Sequence, residues 1–108
     1  MKFLVCTWPK ADVPKHLPSA EAFESQTEWF RSRLSEGVID CAHHAHNRAV
    51  FIFNAESREA LDALMGELPL REHTDHSVEP LMDFWVHSET VAGVLRKAAA
   101  KKAEAGAR

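Results

Sequence analysis

The sequence predicts an α+β domain in which four strands and two helices follow the order β-α-β-β-α-β. The clearest evidence lies in residues 50–70, which combine the features of a buried strand, a helix cap, an amphipathic helix and a stop. A second observation is the pair of apolar segments on either side of Asn47-Arg48, which predicts a hairpin. Two split βαβ units of this order form one antiparallel sheet with both helices on one face, the ferredoxin-like arrangement.

The first part of the chain predicts one strand and one helix. Lys2 to Trp8 has apolar residues on both faces, as in a strand covered on both sides. Pro9 to Pro18 predicts an irregular loop and a candidate lid over a pocket. Ser19 is placed to cap the following helix, and Gly37 to end it. The apolar face of this helix is predicted from residues at helical spacing: Phe23, Thr27, Phe30 and Leu34, with Trp29 beside them.

Two strands come next along the chain. Val38 to His46 and Ala49 to Phe53 are the second and third strand candidates. We expect Asn47-Arg48 to join them, because asparagine tolerates the positive φ that a tight hairpin requires.

The last helix and strand complete the pattern. Ser57 is the expected N-cap of a helix over Arg58 to Glu67, and Pro69 prevents its continuation. The apolar residues of this helix lie on one face: Leu61, Leu64, Met65 and Leu68. His76 to Phe84 is the final strand candidate. We therefore expect a ferredoxin-like domain over residues 1–87 and a helical, basic extension over residues 88–108, with a frayed end as one interpretation.

The strands carry apolar or bulky residues on both faces, for example Phe3 beside Leu4 and Phe51 beside Ile52. Two helices cover only one face of a four-stranded sheet. We therefore expect a partner on the other face, and predict at least a homodimer in which two sheets pack face to face.

Charge and composition narrow the classes of partner. The net charge is −3, but residues 96–108 hold five basic residues against Glu104, which leaves −7 for the first 95 residues. An acidic domain argues against nucleic-acid binding, which depends on phosphate neutralisation. The two cysteines have neither disulfide nor zinc spacing. No apolar run reaches the length of a membrane span or a secretory signal, and we expect a cytoplasmic protein that does not bind membranes.

Histidines are the main candidates for chemistry. Of the seven in the chain, His43, His44 and His46 form one cluster, and His73 and His76 flank Asp75. Because alternate strand residues face opposite ways, His44 and His46 share one face while His43 shares the other with Cys41. Imidazole titrates near neutral pH, so these residues suit general acid/base catalysis.

We take His43, His44 and His73 as candidate catalytic residues. The Asp75 carboxylate is placed to orient or anchor an imidazole. Trp8, Cys41, Arg48 and Asp75 are candidates for substrate binding. For each histidine a solvated strand end or loop position is the plainer interpretation, and Cys41 has the alternatives of a nucleophile beside His43 or a small buried apolar residue.

A metal site is the competing interpretation of the histidines. The donor atoms suit zinc, copper or iron, but adjacent strand residues diverge and no helical His-x-x-x-His pair accompanies them. The scattered glycines form no nucleotide-binding loop. We therefore expect no metal and no cofactor.

Residues 52–81 resemble the muconolactone delta-isomerase family. The matching landmarks, in order, are Ile52-Phe53, Glu56-Ser57, Leu68-Pro69-Leu70, Asp75 and Pro80-Leu81. The likeness extends more weakly over Met1 to about Phe84. Residues 41–48 depart from the family, since histidines stand where it has aromatic and basic residues, and His73 stands where it tends to have an aromatic residue.

This resemblance implies a dimeric α/β barrel that acts on a small cyclic carbonyl compound or lactone. The implied reaction is a cofactor-free proton transfer along an unsaturated lactone, with histidine as the acid and base. A basic residue holds the substrate carboxylate in such enzymes, and Arg48 is the cation nearest in sequence to the histidine cluster. Two alternatives stay open: a non-catalytic protein that binds a small metabolite in the same pocket, and a barrel-type monooxygenase.

Overall fold

The computed structural model describes residues 1–106 and contains four strands and three helices. The strands are β1 (Lys2–Pro9), β2 (Ile39–Ala45), β3 (Arg48–Asn54) and β4 (Thr74–Pro80), and the helices are α1 (Ala20–Ser35), α2 (Arg58–Met65) and α3 (Phe84–Gly106). A single 3₁₀ turn (Val13–Lys15) interrupts the loop between β1 and α1.

The four strands form one antiparallel sheet in the order β2-β3-β1-β4. This order places the first and third strands at the centre and confirms the predicted ferredoxin-like α+β fold. The register pairs Val5 with Phe51 across β1 and β3, and Val5 with Val78 across β1 and β4.

The hydrophobic core lies between one face of the sheet and the first two helices. Buried side chains from alternate strand positions meet buried side chains of the α2 region: Phe3, Val5, Ile39, Phe51, Phe53, Leu61, Met65 and Leu68. Trp29 of α1 packs against this cluster, with its ring 6.4 Å from that of Phe53. The opposite positions, including Leu4, Cys6 and Ile52, are only half-buried. We refer to the sheet surface formed by these opposite positions as the open face.

Both predicted helix caps are confirmed. The Ser19 hydroxyl accepts a hydrogen bond from the backbone N–H of Ala22 at 3.1 Å, and Ser57 accepts one from Ala60 at the same distance. Each bond satisfies one of the backbone donors that a helix start leaves free. Gly37 follows α1 with a φ of +80°, a conformation that glycine adopts without steric cost.

The predicted apolar face of α1 is only partly correct. Phe30 and its neighbour Trp29 pack on the core, whereas Phe23 and Leu34 are exposed. The side of α1 that meets the sheet is therefore rotated toward Trp29. Trp29 is half-buried against the core, and the contact of this large aromatic ring favours that side of α1 over the side defined by Phe23 and Leu34.

Two predicted boundaries are wrong by a few residues. The hairpin turn is His46-Asn47 rather than Asn47-Arg48, since both residues have positive φ and Ala45 pairs with Arg48. Positive φ at both central residues is the geometry of a type I′ turn, which matches the twist of the flanking strands.

The last strand ends at Pro80 rather than Phe84, and α3 begins at Phe84, four residues before the expected extension. Asp83 explains this boundary, because its carboxylate accepts a hydrogen bond from the backbone N–H of Val86 at 3.0 Å and so caps the helix. The predicted extension also included residues 107 and 108, which lie outside the described residues.

The helix α3 projects from the domain. None of its residues is buried, and Trp85 keeps 74% of its surface exposed. The longest dimension of the molecule is 71 Å and the radius of gyration is 20.4 Å, well above the roughly 13 Å of a compact domain of about this length. Within residues 1–106, no helix combines the length and apolar composition that a membrane span needs.

Candidate functional site

A cleft of about 510 Å³ opens on the helix side of the sheet. Its floor is formed by the ends of β1 and β3, and its walls by α1, the β1–α1 loop, the hairpin and the segment between α2 and β4. Phe30 and Phe51 contribute aromatic surface, and the lining is mostly apolar. Small-molecule sites in proteins have this size and character.

The β1–α1 loop forms one wall of the cleft. Val13, Leu17 and Pro18 line it, and Leu17 is 75% exposed. The loop is closed locally by a hydrogen bond from the Val13 N–H to the Lys10 carbonyl at 3.1 Å. It therefore occupies the position expected of the predicted lid.

His44 enters the cleft from β2. It pairs with Ala49 of β3, which pairs with Thr7 of β1, so the three side chains lie on the helix side of the sheet. All three residues line the cleft. The strand register therefore fixes the side from which this imidazole reaches a ligand.

His73 enters from the opposite side, just before β4. Its backbone is anchored at both ends, because its N–H donates to Leu70 at 2.9 Å and its carbonyl accepts from Lys10 at 3.0 Å. The Nδ1 atom of the imidazole is buried and has no hydrogen-bond partner within the described chain. A buried polar atom without a partner carries a desolvation cost that a ligand can relieve.

The cleft thus separates two imidazoles rather than placing them side by side. His44 belongs to one edge strand and His73 precedes the other, so about three strand spacings, roughly 14 Å of backbone, lie between them. Both side chains line the same cleft. A small ring seated on the sheet floor would have an imidazole on each side.

His43 and Cys41 lie away from the cleft. They pair with Val50 and Ile52 of β3, whose side chains belong to the open face. His43 is exposed and Cys41 is half-buried. The structure therefore separates these two candidates from His44 within one chain, as the alternation of strand side chains predicts.

Trp8, at the end of β1, contacts Arg48 and pairs with Asp75 of β4. Trp8 lines the cleft, and the Arg48 guanidinium lies over its indole at 4.9 Å from the ring centre. Asp75 pairs with Trp8 across β1 and β4, but it lines a separate depression beside α2 and is exposed. Neither Arg48 nor Asp75 lines the cleft, and within residues 1–106 the Asp75 carboxylate forms no hydrogen bond with His73.

Gln26 of α1 is a site residue that the sequence did not indicate. It lines the cleft, and its side-chain oxygen Oε1 accepts a hydrogen bond from the backbone N–H of Leu70 at 3.0 Å. Because Oε1 is engaged in this way, the Nε2 group is the end of the amide left to donate. Leu70 lies 44 residues away, and no local pattern signals such a contact.

The metal interpretation finds no support in the geometry. Among residues 1–106, no three side chains of the types His, Cys, Asp and Glu lie close enough together to hold a metal ion. The two histidine clusters are instead divided between the faces of the sheet and its two edges.

No family model and no curated protein matches the sequence. Among solved structures, that of a muconolactone isomerase has a TM-score of 0.61 and 25% identity, over 77% of this chain and 90% of that chain. A protein from Agrobacterium tumefaciens has a TM-score of 0.39 and 17% identity, over 78% of this chain and 96% of that chain. The first likeness supports a fold of the muconolactone isomerase kind.

Proposed function

We propose that this protein is an isomerase that moves a proton along a small unsaturated cyclic carbonyl compound or lactone without a cofactor. The observation that carries the proposal is the placement of His44 and His73 on opposite sides of one mostly apolar cleft. The likeness to a muconolactone isomerase supports the same reaction class, since that enzyme's name describes an isomerisation of a lactone.

The reaction needs a base, an acid and a place for charge to rest. A neutral imidazole takes a proton from the γ-carbon of the α,β-unsaturated lactone, and the electron pair of that C–H bond moves through the conjugated system toward the carbonyl oxygen. An imidazolium then returns a proton to the carbon adjacent to the carbonyl group, which restores the carbonyl and leaves the double bond between the β- and γ-carbons. General acid/base catalysis of this kind contributes about 10²- to 10⁴-fold in rate.

The two histidines suit different parts of this cycle. His44 is exposed at the hairpin end of the cleft, where protons exchange readily with water. His73 is half-buried, with a backbone held from both sides. Trp8 also lines the cleft, with the Arg48 guanidinium over its ring.

The experiment is an isomerisation assay in deuterated water. Muconolactone and 5-methyl-2(5H)-furanone, which has the same ring without the carboxylate, are incubated with the protein, with and without a chelator. We expect chelator-insensitive double-bond migration of at least one of these lactones, with deuterium entering at the receiving carbon. Failure to isomerise or exchange either lactone would contradict the proposal.

A non-catalytic metabolite-binding protein is the second candidate. The observation that favours it is the position of Asp75 outside the cleft, since neither imidazole then has a carboxylate partner to orient it. The same assay separates the two functions. Binding of a lactone without any deuterium exchange would indicate a binding protein.

The open face supports our further proposal of a homodimer. Leu4, Val50 and Ile52 share this face and are left half-buried by the chain itself. Packing the sheets of two copies face to face would remove these side chains from water, at about 25 cal/mol for each Å² of apolar surface buried. Light scattering of wild type and of Ile52→Lys at micromolar concentration tests this, and a monomeric wild type would contradict it.

A further inference from the structure

The electrostatic character of the cleft limits the ligands that it can hold. Within the described chain, no aspartate, glutamate, lysine or arginine lines it. Its polar side chains are two imidazoles, three threonines, the Trp8 indole and two side-chain amides, one of them Gln26. Arg48 is close in sequence, but its guanidinium lies over the Trp8 ring and is not part of the lining.

A carboxylate placed in this cleft would meet no lysine or arginine among the lining residues that the structure describes. Transferring a charged group from water into an apolar site is costly unless the charge is paired, whereas a carbonyl group needs only a hydrogen-bond donor. The lining therefore discriminates against anionic ligands. Its volume of about 510 Å³ lies within the range of about 300–1,000 Å³ that is usual for ligand pockets, so the cleft also admits a bicyclic compound.

Gln26 is the oriented donor that such a ligand requires. The Leu70 N–H fixes the amide by binding its Oε1, which turns Nε2 away from that contact. The neighbouring Thr27 hydroxyl donates to the Phe23 carbonyl at 3.2 Å, and its hydrogen is therefore engaged. An amide held in this way resembles the preorganised donors that stabilise developing negative charge on oxygen.

We infer that this cleft selects an uncharged cyclic carbonyl compound over an anionic one, and that the Gln26 Nε2 group binds the carbonyl oxygen of that compound. This inference rests on the proposed function for the site but concerns the ligand rather than the chemistry. In the isomerisation, the same amide would stabilise the oxygen on which electron density accumulates after proton removal.

Two bicyclic lactones of nearly equal size test the charge preference directly. Coumarin-3-carboxamide and coumarin-3-carboxylate differ in one negative charge, and their binding to the full chain is measured by ligand-observed NMR at pH 7.5. We expect the carboxamide to bind at least tenfold more tightly. Equal or tighter binding of the carboxylate, or no binding of either compound at millimolar concentration, would overturn the inference.

Variants of α1 test the two features that we infer to cause this preference, the Gln26 donor and the lack of a lysine or arginine in the described lining. Gln26→Glu keeps an oxygen for the Leu70 N–H but removes the donor, and we expect it to weaken carboxamide binding about tenfold while the melting temperature stays within a few degrees of wild type. Thr27→Lys adds a cation at the cleft wall and should raise carboxylate affinity by a similar factor. Unchanged carboxamide binding in Gln26→Glu would show that Gln26 does not bind the carbonyl oxygen.

The outcome of this binding experiment is independent of turnover. Carboxamide preference together with absence of any isomerisation would leave the ligand class standing and reject the proposed reaction. Rapid isomerisation of muconolactone together with carboxylate preference would support the proposed reaction and reject the uncharged ligand class.

Discussion

The aromatic ring of Phe30 stacks on that of Phe51, with 4.2 Å between the ring centres and 14° between the planes. This contact joins α1 to β3 directly beneath the cleft, since both rings also line it. Phe51 packs in turn against Phe53 at 6.0 Å. The floor of the candidate site is therefore continuous with the hydrophobic core.

Truncation of Phe51 tests this continuity. Phe51 is 4% exposed, and we expect Phe51→Ala to lower the free energy of unfolding by about 3–5 kcal/mol, the range for loss of a buried aromatic side chain. Phe23→Ala is the matched control, because Phe23 also lines the cleft but is 60% exposed. Urea denaturation measures both variants. Equal losses in the two would show that the stacked pair does not support the core.

His43 and His44 provide a matched pair for the catalytic proposal, because they are neighbours on β2 with opposite orientations. We expect His44→Gln to reduce kcat in the lactone assay by about 10²-fold or more, the scale of general acid/base catalysis. His43→Gln should retain wild-type turnover. Both variants should melt at similar temperatures. Loss of activity in His43→Gln alone would assign the chemistry to the open face.

Asp40 predicts a pH dependence of stability. Hydrogen bonds from Lys2 and then Asn54 lower the pKa of its carboxyl group, so the folded state favours the ionised form more strongly than the unfolded state does. The stability that ionised Asp40 contributes is therefore present above the pKa of the unfolded state. It disappears as the pH falls below about 4 and through the lowered pKa of the folded state. Because the group is solvent-exposed, we expect a small effect.

The measurement compares wild type with Asp40→Asn in urea at about pH 6 and again well below pH 4. The wild type should be the more stable protein at the higher pH, and the difference should shrink at the lower pH. If the stability difference between the two proteins grew as the pH fell, Asp40 would not be the cause of the pH dependence.

The hairpin turn offers a backbone test. His46 has a φ of 48° and Asn47 one of 61°. β-branched residues are strained in this region, so we expect His46→Val to destabilise the fold by about 1–2 kcal/mol. Ala45→Val, one residue earlier in β2, should be neutral or slightly stabilising, since valine favours strands. Thermal unfolding measures both variants. Equal melting temperatures would contradict the type I′ turn.

Local signals in the sequence predicted much of this fold. Ser57, the apolar spacing from Leu61 to Leu68 and the stop at Pro69 each act within a few residues, and the structure confirms the helix that they indicate. The alternation of β2 likewise separated His43 from His44. The sequence pattern predicts the turn one residue too late, because Asn47 is a stronger turn former than His46. The turn is fixed instead by the pairing of Ala45 with Arg48, which is not a local signal.

The site itself was less accessible from sequence. Gln26 resembles an ordinary solvated residue of an amphipathic helix, and its role depends on a backbone group 44 residues away. The nearness of His73 to Asp75 in sequence predicts a pair, but Asp75 lines a separate depression. Only the packing of α1 and of the α2–β4 segment around the sheet brings His44, His73 and Gln26 to one cleft.

The three tryptophans occupy three distinct environments: Trp8 borders the cleft, Trp29 packs on the core, and Trp85 lies on the projecting helix α3. Because the chain contains no tyrosine, nearly all of its fluorescence comes from these indoles. Variants that retain one tryptophan each would therefore act as separate optical probes. One would report ligand occupancy, one the unfolding of the core, and one the contact of α3 with another molecule.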